Sequence, residues 1–379
     1  MFRLVCLLLK PEPLILNRKP LRILTVLTIV VGFLVAATPA SAQSFVDSTC
    51  YKYFKITARL KKGDTLSRSE WKTFLSDKAI TDYMADQGVG EQYLESYRKN
   101  MQIVYMPKNE AVLQTRLADP NSYWLTYMIN QYKINEDGMK EYLNGIDSDA
   151  KSYFNKSYQY AYSALPKMAH KRLPDLKVAI IPIHNDAHAQ EGLIIYTLLC
   201  AYKNDMNRPG ALGGHELHHM LRPQPTFKIE PDEESAVMAM YRVLNEGSAD
   251  MVDKKYMTDT ASNLLPSQKY FQEFFDEGKK ILPHMDSLLQ HNGKVSKSFK
   301  VRDYFKGTPY SSGHVPGTYM SYYIEKNGLK GELLKSLDDP FSFFLIYDKA
   351  SKKDKEKPFR FSHAAIENIQ LLKKKYIKK

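Results

Sequence analysis

The chain of 379 residues is 44% hydrophobic and 25% charged. That is the composition of a folded globular protein and excludes a wholly disordered one; the length admits one large domain or two ordinary ones. Its formal charge of +12 sits at the two ends, where residues 1–42 carry +4 and residues 351–379 carry +7, so the body between is near neutral. A near-neutral body argues against nucleic acid as a partner, because a nucleic-acid groove needs a basic face on the fold.

The first 42 residues read as a secretory signal peptide. A basic stretch ending "NRKPLR" precedes the apolar run Ile23–Ala37, and Ala40 and Ala42 supply an A-x-A cleavage site. The apolar run is 15 residues long, short of the ~20 that a membrane span needs. No later segment reads as a span. The mature protein is therefore expected to be exported, periplasmic or extracellular, without a stable membrane anchor. In that oxidising setting Cys50 and Cys200 leave one disulfide open as an option.

Residues 43–170 read as a helical N-terminal region. "FKITARLKKGDTLSRSEWKTFLSD" predicts two helices about a turn at Gly63–Asp64, the second capped near Ser67 or Ser69. Apolar residues recur three and four apart from Glu91 to Met106, Glu110 to Ala118, Ser122 to Tyr132 and Ser148 to Leu165. The Tyr-rich end of the last run is read as packing material. Near Leu173 the pattern changes, and residues 171–350 read as a second region. Leu176–His184 is a short β-branched run, hence a buried strand; Gly192–Lys203 is read as a second strand, although its length also permits a helix. Helices resume near Pro209, at Pro231–Met257 and around Pro283. Lys306–Gly317 is loop-like, and "TYMSYYIEKNG" predicts a helix ending at Gly328. Residues 351–379 form a basic C-terminal tail, read as a solvated helix end. The expected fold class is α+β, predominantly helical, with a small sheet beside a helix pair. No internal repeat is visible.

His215, Glu216 and His219 form the pattern H-E-x-x-H. Residues four apart share a helix face, so two imidazoles can reach one metal ion while Glu216, displaced around the helix, reaches a water on that metal. A catalytic zinc with two His ligands needs a third protein ligand. "NEGSAD" offers Glu246, with Asp250 on the same face to accept a hydrogen bond from the outer nitrogen of a ligand histidine. His218, adjacent to His219, is assigned a packing or outer role. His184 and His188 leave a second metal site open.

"HELHH" followed by "NEGSAD" resembles the gluzincin metallopeptidases, the thermolysin-like group, whose pattern is H-E-x-x-H and then N-E-x-x-x-D on a following helix. More narrowly, with "ARLKKGDTLSRSEWKTFL" and "GHVPGTYM", the chain resembles an uncharacterised family of exported bacterial proteins described as zinc-dependent peptidases. The resemblance implies one zinc ion held by His215, His219 and Glu246, with Glu216 as general base. Asp250 and Asn245 then lie behind the ligands, and a peptide or protein is the substrate. It implies an edge strand lining the cleft, with Gly192–Lys203 as candidate, and an oxyanion donor from the later segment, with His314 first, Tyr319 second and Tyr310 also available. The G-x-M-E-N motif of the group's aminopeptidases is missing. An exported binding or scaffold protein with a structural zinc is the alternative. Substrate preference and oligomeric state are not legible.

Overall fold

The computed structural model describes residues 43–190, 192–206, 208–254, 270–307 and 313–377; the signal-peptide segment and Tyr310 lie outside them. β1 (Ser44–Val46) opens the chain, followed by α1 (Ser48–Lys61), α2 (Arg68–Leu75), α3 (Lys78–Asp86), α4 (Glu91–Tyr105), α5 (Glu110–Leu117), α6 (Trp124–Ile134), α7 (Glu136–Ser148) and α8 (Ala150–Ser163). β2 (Lys177–Ile181), β3 (Ala187–Gln190) and β4 (Leu193–Thr197) form the central stretch. Then come α9 (Leu198–Asp205), α10 (Ala211–Leu221), α11 (Glu234–Asp250), α12 (Tyr270–Leu289), the single turn α13 (Gly293–Ser296), α14 (His314–Lys326), α15 (Lys330–Leu334), α16 (Pro340–Lys353) and α17 (His363–Tyr376). The fold is α+β and predominantly helical.

Local chemistry explains many of the boundaries. α1 ends on Arg59 and Lys61, cations suited to the negative end of a helix, and the chain turns at Gly63 with φ +96°. Ser67 then caps α2. Its Oγ accepts the Glu70 N–H and the Glu70 carboxylate accepts the Ser67 N–H, a reciprocal pair that satisfies two orphan donors. α12 runs through Pro283 as one helix rather than a helix pair. Burial of Ile281, Leu282, Met285 and Leu289 offsets the hydrogen bond that proline removes.

The sheet has the order β1-β2-β4-β3. β1 runs parallel to β2, β2 parallel to β4, and β3 antiparallel to β4, with Ala187 opposite Tyr196 and Gln190 opposite Leu193. This corrects the reading of Gly192–Lys203. Only its first half is a strand, that strand is internal, and the antiparallel edge strand is β3. The β-branched Ile194, Ile195 and Thr197 fit a pleated surface. Leu198, Leu199 and Ala201, which have no branch at Cβ, favour the helix that follows at once.

Gln43–Lys379 form one compact unit, and elements on either side of residue 170 share its core. β1 lies in the sheet beside β2, and α8 packs against α10. α17 also belongs to that core. It buries Ala365, Ile369 and Leu372 against α12 and α16, so its basic residues mark only its outer face. Cys50 and Cys200 are both free thiols. Among the described residues no helix is long and apolar enough to cross a membrane.

Candidate metal centre

α10 starts after Gly210, whose φ of +88° turns the chain into the helix. The helix is buried on nearly every side, from Ala211 through His218, which explains its apolar composition around the histidines. Gly213 and Gly214 let α8 come close: a Cβ on Gly214 would meet the Tyr160 Cβ at 2.6 Å. The four-residue spacing stacks His215 and His219 on one face, with their Nε2 atoms 3.0 Å apart.

α11 lies against α10 and brings Glu246 to the same point. Glu246 Oε2 stands 3.4 Å from His219 Nε2 and 3.8 Å from His215 Nε2. Three ligand atoms at ~2.0–2.1 Å from a tetrahedral zinc are about 3.3–3.4 Å from one another. The observed triangle of 3.0, 3.4 and 3.8 Å brackets that value, and these three residues form a group able to hold a metal ion. The other oxygen, Oε1, accepts the Asn245 Nδ2–H at 3.1 Å. Asn245 Oδ1 in turn accepts from Arg222 Nη2, so a buried guanidinium steadies the carboxylate through one amide. The histidines His314, His219 and His215 hold the Glu246 carboxyl well below its ordinary range, although burial opposes them.

Glu216 is 5% exposed. Burial pushes its carboxyl up, and the neighbouring carboxylates of Glu246 and Asp186 add to this, against the opposing pull of His215 and His219. A carboxylate with raised proton affinity, one residue from the His215 imidazole, is suited to taking and returning a proton.

The segment read as a loop from Lys306 to Gly317 becomes helical at His314. The His314 Nδ1–H donates to Asp250, 3.0 and 3.1 Å from its two oxygens, and Thr318 Oγ donates to Asp250 Oδ2. His314 Nε2 stands 3.3 Å from Glu246 Oε2, at the rim of the triangle. Tyr319 is not brought there. Five residues along a helix turn it about 140° from His314, and it packs into the core on Tyr323 and Tyr347 with its hydroxyl near the Phe359 N–H. Tyr319 is therefore excluded as a donor to this site.

Asp250 does not fill the place expected for it behind a ligand. Its nearest oxygen is 3.7 Å from His215 Nδ1, whereas Asp253 Oδ1 is at 3.0 Å. Asp253 and Thr318 were not singled out in the sequence. Thr318 follows His314 by four residues on α14, a spacing that shares a helix face, whereas Asp253 lies in the turn just after α11. His218 is fully buried and joins no ligand group among the described residues. His184 bonds the Tyr83 hydroxyl and His188 pairs with Asp86, and among the described residues neither joins a group able to hold a metal.

No curated protein and no solved structure matches the chain. One family model matches residues 71–356, three quarters of the sequence, including α10, α11 and α14. The chain belongs to the family described as "Putative zinc dependent peptidase (DUF5700)".

Proposed function

We propose that the protein is a zinc metallopeptidase of the gluzincin type, exported from the cell, which hydrolyses peptide bonds at this centre. The observation that carries the reading is the triangle of His215 Nε2, His219 Nε2 and Glu246 Oε2 at 3.0–3.8 Å, beside a buried Glu216. One zinc ion would be held by these three atoms. A zinc of this ligand set supplies Lewis-acid polarisation of a carbonyl and a lowered pKa for water.

The chain's own groups then have distinct tasks. The Glu216 carboxylate takes a proton from the attacking water and returns it to the leaving amine. His314 donates from Nε2 to the oxygen that gains charge, its ring held by Asp250 through Nδ1. In the metal-free site, against the opposing effect of burial, Asp250 and Glu246 raise the His314 pKa to about 9, and Asp250 keeps the Nδ1 proton in place. Asn245 and Arg222 keep the Glu246 carboxylate turned towards the imidazoles. β3 packs beside α10 and is the antiparallel edge available to an extended peptide backbone.

The test is Glu216→Gln. The variant should retain about one zinc per chain by elemental analysis and lose at least ~100-fold in hydrolysis of a casein or peptide-library substrate. Equal activity of wild type and variant at matched zinc content would refute the role. A zinc-bound wild type with no hydrolysis of any peptide would favour the scaffold alternative.

A further inference from the structure

An imidazole that offers Nε2 to a metal must carry its proton on Nδ1, and the acceptor of that proton sets the ring's tautomer, orientation and basicity. By resemblance Asp250 would be that acceptor for His215. Its geometry says otherwise. The 3.7 Å from His215 Nδ1 to Asp250 Oδ1 is beyond hydrogen-bond range. Both Asp250 oxygens are committed elsewhere, to His314 Nδ1 and to the Thr318 hydroxyl.

Asp253 has the required geometry. Its Oδ1 is 3.0 Å from His215 Nδ1, and its side chain is almost wholly buried. Two contacts fix it. Oδ1 also accepts the Lys254 backbone N–H at 2.8 Å, and Oδ2 pairs with Lys254 Nζ at 2.6 Å. The turn that carries it is tied to the start of α10. Arg208 Nη1 donates to the Val252 carbonyl at 2.7 Å, with its guanidinium over the Tyr160 ring. Val252 itself sits where Gly214 lacks a side chain: a Cβ there would stand 3.0 Å from Val252 Cγ1. Gly214, the residue before His215, thus makes the room that lets Asp253 reach the imidazole.

We infer that Asp253, clamped by Lys254, is the positioning residue for His215, and that Asp250 serves His314 instead. The two acids stand three residues apart, Asp250 at the end of α11 and Asp253 in the turn that follows it, and each holds a different histidine. This rests on the zinc reading above.

The experiment measures zinc affinity by competition with a chromogenic chelator in five proteins: wild type, His215→Ala, Asp253→Ala, Asp253→Asn and Asp250→Asn. Circular dichroism of the metal-free forms checks the fold. Asp253→Ala should bind zinc 10–100-fold more weakly than wild type. Asp253→Asn, which keeps the shape and an acceptor oxygen, should fall between the two and decides the matter if the alanine variant does not fold. Asp250→Asn should lie within about threefold of wild type. Cobalt(II) supplies a second readout. The exchangeable, hyperfine-shifted Nδ1–H signal of His215 should persist in Asp250→Asn and vanish by solvent exchange in Asp253→Ala. If zinc binding depends on His215 but both Asp253 variants bind like wild type, or if Asp250→Asn carries the loss, the inference fails and the zinc site stands. If wild type binds no zinc, or His215→Ala binds equally well, the zinc reading fails and takes the inference with it.

Discussion

Gly247 and Gly317 meet backbone to backbone where α11 crosses α14. A Cβ on Gly247 would lie 2.6 Å from the Gly317 Cα, and one on Gly317 would lie 2.6 Å from the Gly247 nitrogen. That crossing lets His314 and Thr318 reach Asp250 and lets His314 approach Glu246. Gly317→Ala must therefore push the helices apart. It should cost roughly 1–3 kcal/mol of stability, as overpacking does, seen as a lowered midpoint in thermal unfolding. Hydrolysis should fall more than ~10-fold while zinc content stays near one, because His314 withdraws and the triangle does not. His314→Ala should reproduce the activity loss without the stability loss. A Gly317→Ala protein with full activity would show that the close approach is dispensable.

Zinc affinity should rise with pH. In the metal-free site burial disfavours a charged His215, but Asp253 and Glu246 outweigh it and raise its pKa well above the ordinary value. The ring then holds its second proton more tightly than a free imidazole does, and a metal must displace that proton. Titration calorimetry in buffers of different ionisation enthalpy should report about one proton released per zinc at pH 7. Affinity that is flat between pH 6 and 8 would contradict this. Because zinc binds the native state, an excess of ~100 times Kd should add about 2.7 kcal/mol to stability, and His219→Ala should lose that gain.

Asp205 gives the fold a pH dependence of opposite sign to most carboxylates. It lies at the end of α9, 2% exposed, accepting the Gly210 N–H that leads into α10 and the Tyr142 hydroxyl. Burial pushes its carboxyl up to about 6 from 3.8, despite those bonds. Between these two values the native state binds more protons than the unfolded chain. The contribution is thus fully present below the unfolded pKa and is lost as pH rises through the folded one. In denaturant unfolding, the stability of wild type relative to Asp205→Asn should fall by ~2–3 kcal/mol from pH 4 to pH 7. A constant difference across that range would show that Asp205 does not titrate this way.

Much of the helical architecture was legible because periodicity is local. The runs beginning at Glu91 and Glu110 sit where the apolar spacing put them, and of the two cap candidates Ser67 and Ser69 it is Ser67 that caps, with Glu70 completing the pair. α3 and α7 carried the same signals and were passed over. The strands were harder. β1 and β3 are three and four residues long, too short to show alternation, and become strands only through their partners β2 and β4. Gly192–Lys203 misled because a continuous apolar run serves a strand and a buried helix equally well.

By itself the sequence determined which residues share a face within one helix: His215 and His219 on one, Glu246 and Asp250 on another. What only the tertiary structure decided is which of these faces meet, and at what distance. Asp253 rather than Asp250 reaches His215, and β3 rather than β4 forms the edge beside α10. The physical reason is that helical geometry repeats every 3.6 residues wherever the helix lies. The approach of two helices is set by the volume between them, here removed at Gly214, Gly247 and Gly317.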